Sequence, residues 1–410
     1  MPVDHCRPLL FALAAVLLMA CGNENQRSAQ AVFRDSAGVG IIENTSHRWP
    51  EGSGWQLADE PSVDIGALDD DPRYQLFQVV GALRLSDGRL VVANSGTAEL
   101  RFYDGSGTYL SSSGRKGGGP GEFGGLNWIG VSADDSILAY DWQNRRISVF
   151  DAHGRYARGF LLRDLSQAPP SHTHPALLGA GSLLVGTQRL FSAGPLTTGV
   201  YHDSVFYLVF DGEGVLADTV GRHAGTEFFV ATLGEDIDLM PLPFGRSAHA
   251  APWHGGFFFG DGASYEIAYY SRAGDLLRLV RRTHTPPQLT PTRIQRYIEA
   301  QLANVASDDE RRFIESLFAE VPFPETMPAY RDLQVDALGN LWVEEYERPV
   351  DEKPRWTVFS PDGEMLGVVE TPSRFTIYQI GPDFVLGRWT DDLDIEHIRL
   401  YELRRDPEPI

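Results

Sequence analysis

The chain has 410 residues, 42% hydrophobic and 22% charged, a globular composition long enough for one large all-β domain or two smaller ones. Its 35 basic and 56 acidic residues leave a formal charge of −21, which repels phosphate backbones. No Lys/Arg cluster falls on a predicted helix, so nucleic acid is not an expected partner.

In chain order, the first element is an apolar run from Leu9 to Met19. It is too short to span a bilayer comfortably and has the length of a signal-peptide core. The run closes on Leu18-Met19-Ala20-Cys21, which resembles the lipobox of bacterial lipoproteins, where cleavage before the cysteine precedes its lipidation. The resemblance implies a signal peptide over 1–20 and a lipid on Cys21. It also implies an extracytoplasmic protein held to the cell envelope through that N-terminal lipid only. Gly22 rather than Asp follows the cysteine, which favours the outer membrane if the cell is Gram-negative. The chain has two cysteines, Cys6 and Cys21, so the mature protein would carry no disulfide, and no thiol once Cys21 is lipidated. That suits an oxidising compartment. Residues 21–31 are small and polar and read as a flexible tether.

From there a repeat organises the chain, and residues 32–410 read as a single domain. An aromatic or apolar pair, Asp or Ser, two residues and a glycine recur as "FYDGSGTYL" from Phe102, "VFDAHGRYA" from Val149, "VFDGEGVLA" from Val209, "YYSRAGDLL" from Tyr269 and "VFSPDGEML" from Val358. The polar side chain bonds the turn backbone and the glycine supplies a positive φ, so each copy reads as a hairpin. A second phrase, a short turn and an apolar strand, precedes each copy, as in "SDGRLVVAN" from Ser86 and "ADDSILAYD" from Ala133. It has a sixth copy, "GPDFVLGRW" from Gly381, whose unit ends in "IEHIRLYELRR" with three strands and no fourth. The missing strand is expected in Pro61–Phe77, which has the form of an outer strand with no inner strands before it. The expected fold is therefore all-β: a six-bladed β-propeller of four-stranded antiparallel blades, closed by an N-terminal strand.

The gap between the fourth and fifth units is too long for one blade. Thr290-Pro291 starts a helix, and Ile294, Ile298 and Leu302 recur at helical spacing. Ser307 with Glu310 forms a capping box ahead of an apolar face of Phe313, Ile314, Leu317 and Phe318. A helical-hairpin insertion over about 289–328 is expected between blades 4 and 5. It reads either as cover for apolar surface or as a lid or partner-docking element.

"GRKGGGPGEFGG" (Gly114–Gly125) contains one literal G-x-G-x-x-G. A dinucleotide site would need a helix after it, and a strand follows instead. "GRHAGTEFF" (Gly221–Phe229) reads as a second copy, which makes both stretches inter-blade connectors, with Phe123 packing between blades. Together with "DWQNRRISVFDAHGR", the Gly-rich stretch is similar to an NHL repeat. The chain as a whole resembles the bacterial six-bladed propeller lipoproteins, most of which lack an assigned activity. The resemblance implies the fold strongly and function weakly.

The connections leading into strands one and three share one face of a propeller, and here they carry every elaboration. These are the Gly-rich loop, Arg163–Pro175, Thr187–Asp203, the helical insertion and Tyr346–Trp356. Long irregular loops on one rigid face are where binding is usually built. At the channel mouth on that face, strand-one alignment places Asn127, His174, His249 and Arg331. The ends of strand two add Asn94, Asp141, Asp261, Glu344 and Arg388. Mixed acids, amides and imidazoles there suit a divalent metal or a small polar ligand; the elaborated face as a whole suits a ligand or a protein partner, with no cofactor required. The expected function is binding through this face with no chemistry of its own. The alternative is a metal-dependent hydrolase, lactonase or lyase, because six-bladed lactonases bind Ca²⁺ with Glu, Asn and Asp around such a channel. Asp141 with Asn144 and Arg145 also reads as a structural turn, and His174 as an ordinary loop histidine. Asp69–Asp71 and Thr390–Glu396 lack EF-hand spacing and read as solvated loops.

Overall fold

The computed structural model describes residues 30–50, 53–66, 71–163, 165, 173–179, 181–188, 197–233, 236–303, 305, 307–346 and 353–405. The expected signal peptide, Cys21 and nearly all of the tether lie outside the described residues, as do Asp69 and Asp70.

Four short strands come first: β1 (Ala31–Ser36), β2 (Val39–Asn44), β3 (Gln56–Leu57) and β4 (Val63–Ile65). Blade 1 then comprises β5 (Val79–Arg84), β6 (Leu90–Asn94), β7 (Glu99–Tyr103) and β8 (Tyr109–Ser113). Blade 2 is β9 (Leu126–Val131), β10 (Ile137–Asp141), β11 (Arg146–Phe150) and β12 (Tyr156–Leu161). Blade 3 is β13 (Thr173–Gly179), β14 (Ser182–Gln188), β15 (Gly199–Phe210) and β16 (Leu216–Leu233), with β17 (Asp236–Pro241) added at its edge. Blade 4 is β18 (His249–Trp253), β19 (Gly256–Gly260), β20 (Glu266–Tyr270) and β21 (Leu276–Arg282). Helices α1 (Pro291–Leu302) and α2 (Asp308–Glu320) follow. Blade 5 is β22 (Asp332–Val335), β23 (Leu341–Glu344), β24 (Arg355–Phe359) and β25 (Met365–Glu370). The sixth sheet has β26 (Phe375–Ile380), β27 (Phe384–Thr390) and β28 (Glu396–Arg404), and its fourth strand is β4, paired antiparallel with β28. The chain is a β-propeller closed by its N-terminal strand.

Each second strand is buried on both faces, as β6 and β10 are along their whole length. The period-2 alternation of a strand explains why such continuous apolar runs are needed. Val91 packs with Ile137 and Phe150 of blade 2, while Leu90 and Val92 pack with Leu386 and Ile398 of the sixth sheet. Comparable buried clusters fill the other seams, among them Tyr140 with Val185, Val209 with Phe257, Ile267 with Val343, and Trp342 with Tyr401.

The repeat glycine acts on these seams as well as on its own turn. In the third-to-fourth-strand turns, Asp104, Asp151 and Asp211 each accept two turn amides through Oδ1. Ser271 does the same through its hydroxyl. The turn glycines have φ between 74° and 90°, where L side chains are strained. Each also abuts the preceding blade. A Cβ on Gly154 would fall 2.6 Å from Phe102, one on Gly214 2.2 Å from the Leu161 carbonyl oxygen, and one on Gly274 2.7 Å from that of Val220.

Three features depart from expectation. Gly221–Phe229 is the interior of β16 and not a connector, and Gly221 sits at a register shift opposite Tyr207. The stretch around Thr187–Asp203 is shorter as a loop than expected, because β14 runs to Gln188 and β15 starts at Gly199; residues 189–196 lie outside the described residues. Finally, residues 31–65 form a belt. The β1–β2 hairpin extends blade 4 by parallel pairing of β2 with β21, Arg48 and Trp49 donate to the Met365 and Leu366 carbonyls of blade 5, and β3 and β4 line β28.

The helices start where the sequence marks them. Thr290 caps α1, and the Ser307 hydroxyl accepts the Glu310 amide at 3.2 Å. Their apolar faces pack on the extended blade 3 edge: Leu317, Phe318 and Val321 with Phe229, Ala231 and Leu242.

Candidate ligand site at the channel mouth

The candidate residues divide by what their side chains already hold. Asn94 is fully buried at the end of β6; its Oδ1 accepts the Phe77 amide at 2.7 Å and its Nδ2 donates to Thr97. Asp141, equally buried at the end of β10, accepts the amides of Gly124, Gly125, Gln143 and Asn144 and the Asn144 Nδ2. Both pin the backbone that feeds their own blade, so they are structural turn residues and do not line an open site. Arg388 donates to Glu396 at 2.8 Å and to the Val79 carbonyl at 3.3 Å. Asp261 accepts the Ala263 amide. The Asn127 Oδ1 is buried without a hydrogen-bond partner among the described residues. The backbone of His174 pairs with Gly186, and its side chain lies outside the described residues.

The Gly-rich stretch is closed to phosphate. Glu122 accepts the Gly119 amide at 2.8 Å, so a carboxylate already occupies that donor. Arg146 collects the carbonyls of Gly118, Gly119 and Glu122. The Gly119 hydrogen bond, joined by Arg115, holds the Glu122 carboxyl below its ordinary value. Phe123 is fully buried between blades 1 and 2, as expected.

His249, Arg331 and Glu344 do come together, and Asp332 joins them. His249 opens β18, and its Nδ1 lies 3.3 Å from Oδ1 of Asp332, the first residue of β22. Asp332 is paired in register with Glu344, whose carboxylate is 3.6 Å from Arg331. Asp332, one position beyond the expected Arg331, is the residue that meets His249; in a strand that step changes which face a side chain takes.

Beside this pair a cavity of about 360 Å³ opens between blades 3 and 4. His249 and Asp332 stand on one side, with Gln188, Thr226, Tyr207 and Phe228 among the other lining residues. Gln188 is committed to both backbone groups of Thr226, and the Thr226 hydroxyl accepts the Ala248 amide. The His249–Asp332 pair therefore has capacity left over, as does the Tyr207 hydroxyl in the same wall. With Nδ1–H donating to the carboxylate, Nε2 would accept from a ligand, while the second Asp332 oxygen can take a donor.

A second polar group lies between blades 4 and 5. Arg282 donates to Glu345 at 3.0 Å and to the Thr357 hydroxyl at 2.8 Å. Burial raises the Glu345 carboxyl, but the Arg282 hydrogen bond and the charges of Arg355 and Arg282 outweigh it and leave it below its ordinary value. Burial pushes the neighbouring Tyr265 phenol up to about 12. Among the described residues, no three His, Cys, Asp or Glu side chains are grouped as a metal ion would need.

Residues 73–166 match the family model DUF5128, a 6-bladed beta-propeller. Among solved structures, the propeller is similar to a protein described as exported from Bacteroides fragilis, at 14% identity and a TM-score of 0.48 over 90% of this chain and 100% of that one. It is also similar to a DUF4221-family member from Bacteroides vulgatus, at 10% identity and 0.49 over 86% and 99%. A third likeness is the calcium-binding protein regucalcin from Agrobacterium tumefaciens, at 13% identity and 0.41 over 87% and 97%. No curated protein matches the chain.

Proposed function

We propose that this propeller is an extracytoplasmic, lipid-anchored protein that holds a small polar ligand at its channel mouth and performs no chemistry itself. The observation that carries this reading is the cavity beside His249 and Asp332. It lies on the face with the long connections and at the small end of the range for ligand sites, roughly 300–1,000 Å³. Its wall joins one acceptor-rich polar pair to aromatic surface from Tyr207 and Phe228, the mixture that orients a small molecule. The anchor rests on Leu18-Met19-Ala20-Cys21 and on the lack of any later cysteine in the sequence. No described helix is long and apolar enough to cross a membrane.

Calorimetric titration of the full chain with Ca²⁺, followed by a lactone and ester panel, tests the claim of binding without catalysis. A flat Ca²⁺ titration and no turnover are expected. Stoichiometric Ca²⁺ binding lost in Asp332→Asn, together with turnover lost in His249→Ala, would replace this reading with a metal-dependent hydrolase. For the anchor, Cys21→Ser is expected to leave the membrane fraction. A variant that stayed there would defeat the lipid assignment.

A further inference from the structure

A second cavity lies on the opposite face. It measures about 980 Å³ and spans blades 2, 3 and 4. Its rim is made of first-to-second and third-to-fourth-strand turns, including Ser132–Asp134, Trp253–Gly255, Gly212 and Arg272. Those turns are all at the far end of the blades from His249. The walls are apolar, with Leu138, Phe160, Leu177, Leu178 and Trp253 among the lining residues.

In a chain of net charge −21, two arginines, Arg158 and Arg272, line this cavity against one lining carboxylate, Asp134. Arg158 lies over the Phe160 ring at 5.1 Å, donates to the Gly212 carbonyl at 2.8 Å and pairs with Glu213 at 3.3 Å. Its charge is thus largely committed. Arg272 lines the same cavity and makes no ion pair or hydrogen bond among the described residues; its field reaches Asp211, one turn away. The carboxylate on the rim, Asp134, is occupied by the Ser132 hydroxyl and the Ser136 amide. The His254 ring packs 4.0 Å from Trp253 at the same edge.

An apolar trough ending at an uncommitted guanidinium has one complementary ligand chemistry. We propose that this face binds a free amphiphilic carboxylate, with its hydrocarbon body on Leu138, Phe160, Leu177 and Trp253 and its head on Arg272. The volume suits a small molecule of this kind, and the planar guanidinium fork matches a carboxylate. The site is independent of the channel-mouth reading and lies on a different face.

Calorimetric titration of the full chain with octanoate and 1-octanol tests it. Octanoate is expected to bind saturably and about tenfold more tightly than octanol, the change expected when one charge-assisted contact is lost. Arg272→Ala should bring octanoate down to the octanol level and leave octanol unchanged. Ala157→Trp, on an exposed position of β12 lining the cavity, should abolish both by filling the trough without disturbing the core. Absence of saturable binding, equal affinity for the two probes, or binding that survives Ala157→Trp would overturn the proposal. Arg272-dependent capture by phosphatidylglycerol vesicles with no octanoate binding would also overturn it and assign the face to a membrane surface.

Discussion

The carboxylate of Glu396 accepts the backbone amide of Val79 at 2.8 Å, across the seam where the sixth sheet meets blade 1. The Val79 carbonyl is held from the same side by the Tyr378 hydroxyl at 2.7 Å and by Arg388. Arg388 in turn donates to Glu396. The start of β5 is therefore fastened to the last sheet by three side chains, next to the strand exchange that puts β4 on β28. Arg388 is at the channel mouth, but its work there is ring closure.

Glu396→Ala should destabilise the ring by about 2–3 kcal/mol, because it leaves the Val79 amide without its acceptor and the Arg388 guanidinium without its carboxylate. Chemical denaturation measures this directly. Glu396→Gln, which keeps an acceptor oxygen, should recover part of the loss. Equal stability in all three proteins would remove Glu396 from the closure.

Two glycine substitutions separate turn strain from seam packing. Gly255 has φ +78° and open space where a Cβ would point. Gly255→Ala should therefore cost about 1 kcal/mol, from backbone strain alone. Gly214 has φ +74°, and its Cβ would meet the Leu161 carbonyl oxygen at 2.2 Å. Gly214→Ala adds a backbone clash between blades and should cost about 3 kcal/mol or more. Similar losses for both would mean that the seam contact is unimportant.

This contrast also shows what was legible in the sequence. The Asp-x-x-Gly hairpins were legible because their chemistry is local: Asp104, Asp151 and Asp211 bond amides two and four residues on. That the same glycines face a neighbouring blade was not legible, since Leu161 and Gly214 are brought together only by the ring. Gly221–Phe229 misled for the same reason. Its Gly-Arg and Glu-Phe spacing imitates the true connector, but pairing with β15 and β17 makes it strand. The belt over residues 31–65 depends on distant partners such as Met365 and Leu366, which local patterning cannot supply. At the channel mouth, residue types were readable and register was not, so Arg331 was found and Asp332 missed.

Acid should weaken the fold through several groups, two of which are of opposite charge type. The Glu345 carboxyl is depressed in the fold, so its contribution is complete above its ordinary value of 4.5 and is lost as pH falls through the lower folded value. His223 is depressed by burial, and its Nε2 has no hydrogen-bond partner among the described residues. The unfolded chain therefore takes up a proton below the ordinary histidine value of 6.5 before the folded chain does, and stability falls from there downward. Thermal melts between about pH 7 and pH 3 should lose stability in both windows. Glu345→Gln should reduce the loss in the lower window. His223→Phe, among the rings of Tyr207, Phe257, Phe259 and Tyr270, should reduce the loss in the upper one, leaving the share of His284, which burial also depresses. A profile unchanged by either variant would contradict these assignments.

The cavity beside His249 and Asp332 should receive a small polar ligand. Thermal shift of the full chain against monosaccharides, free amino acids and small dicarboxylates tests it most directly, with Asp332→Asn and His249→Ala run in parallel. At least one compound is expected to raise the melting temperature of the unmodified protein in a saturable way. This rise should be lost in both variants while their unliganded melting temperatures stay close to that of the parent. A rise that persists in both variants, or no rise with any compound, would contradict this assignment of the cavity.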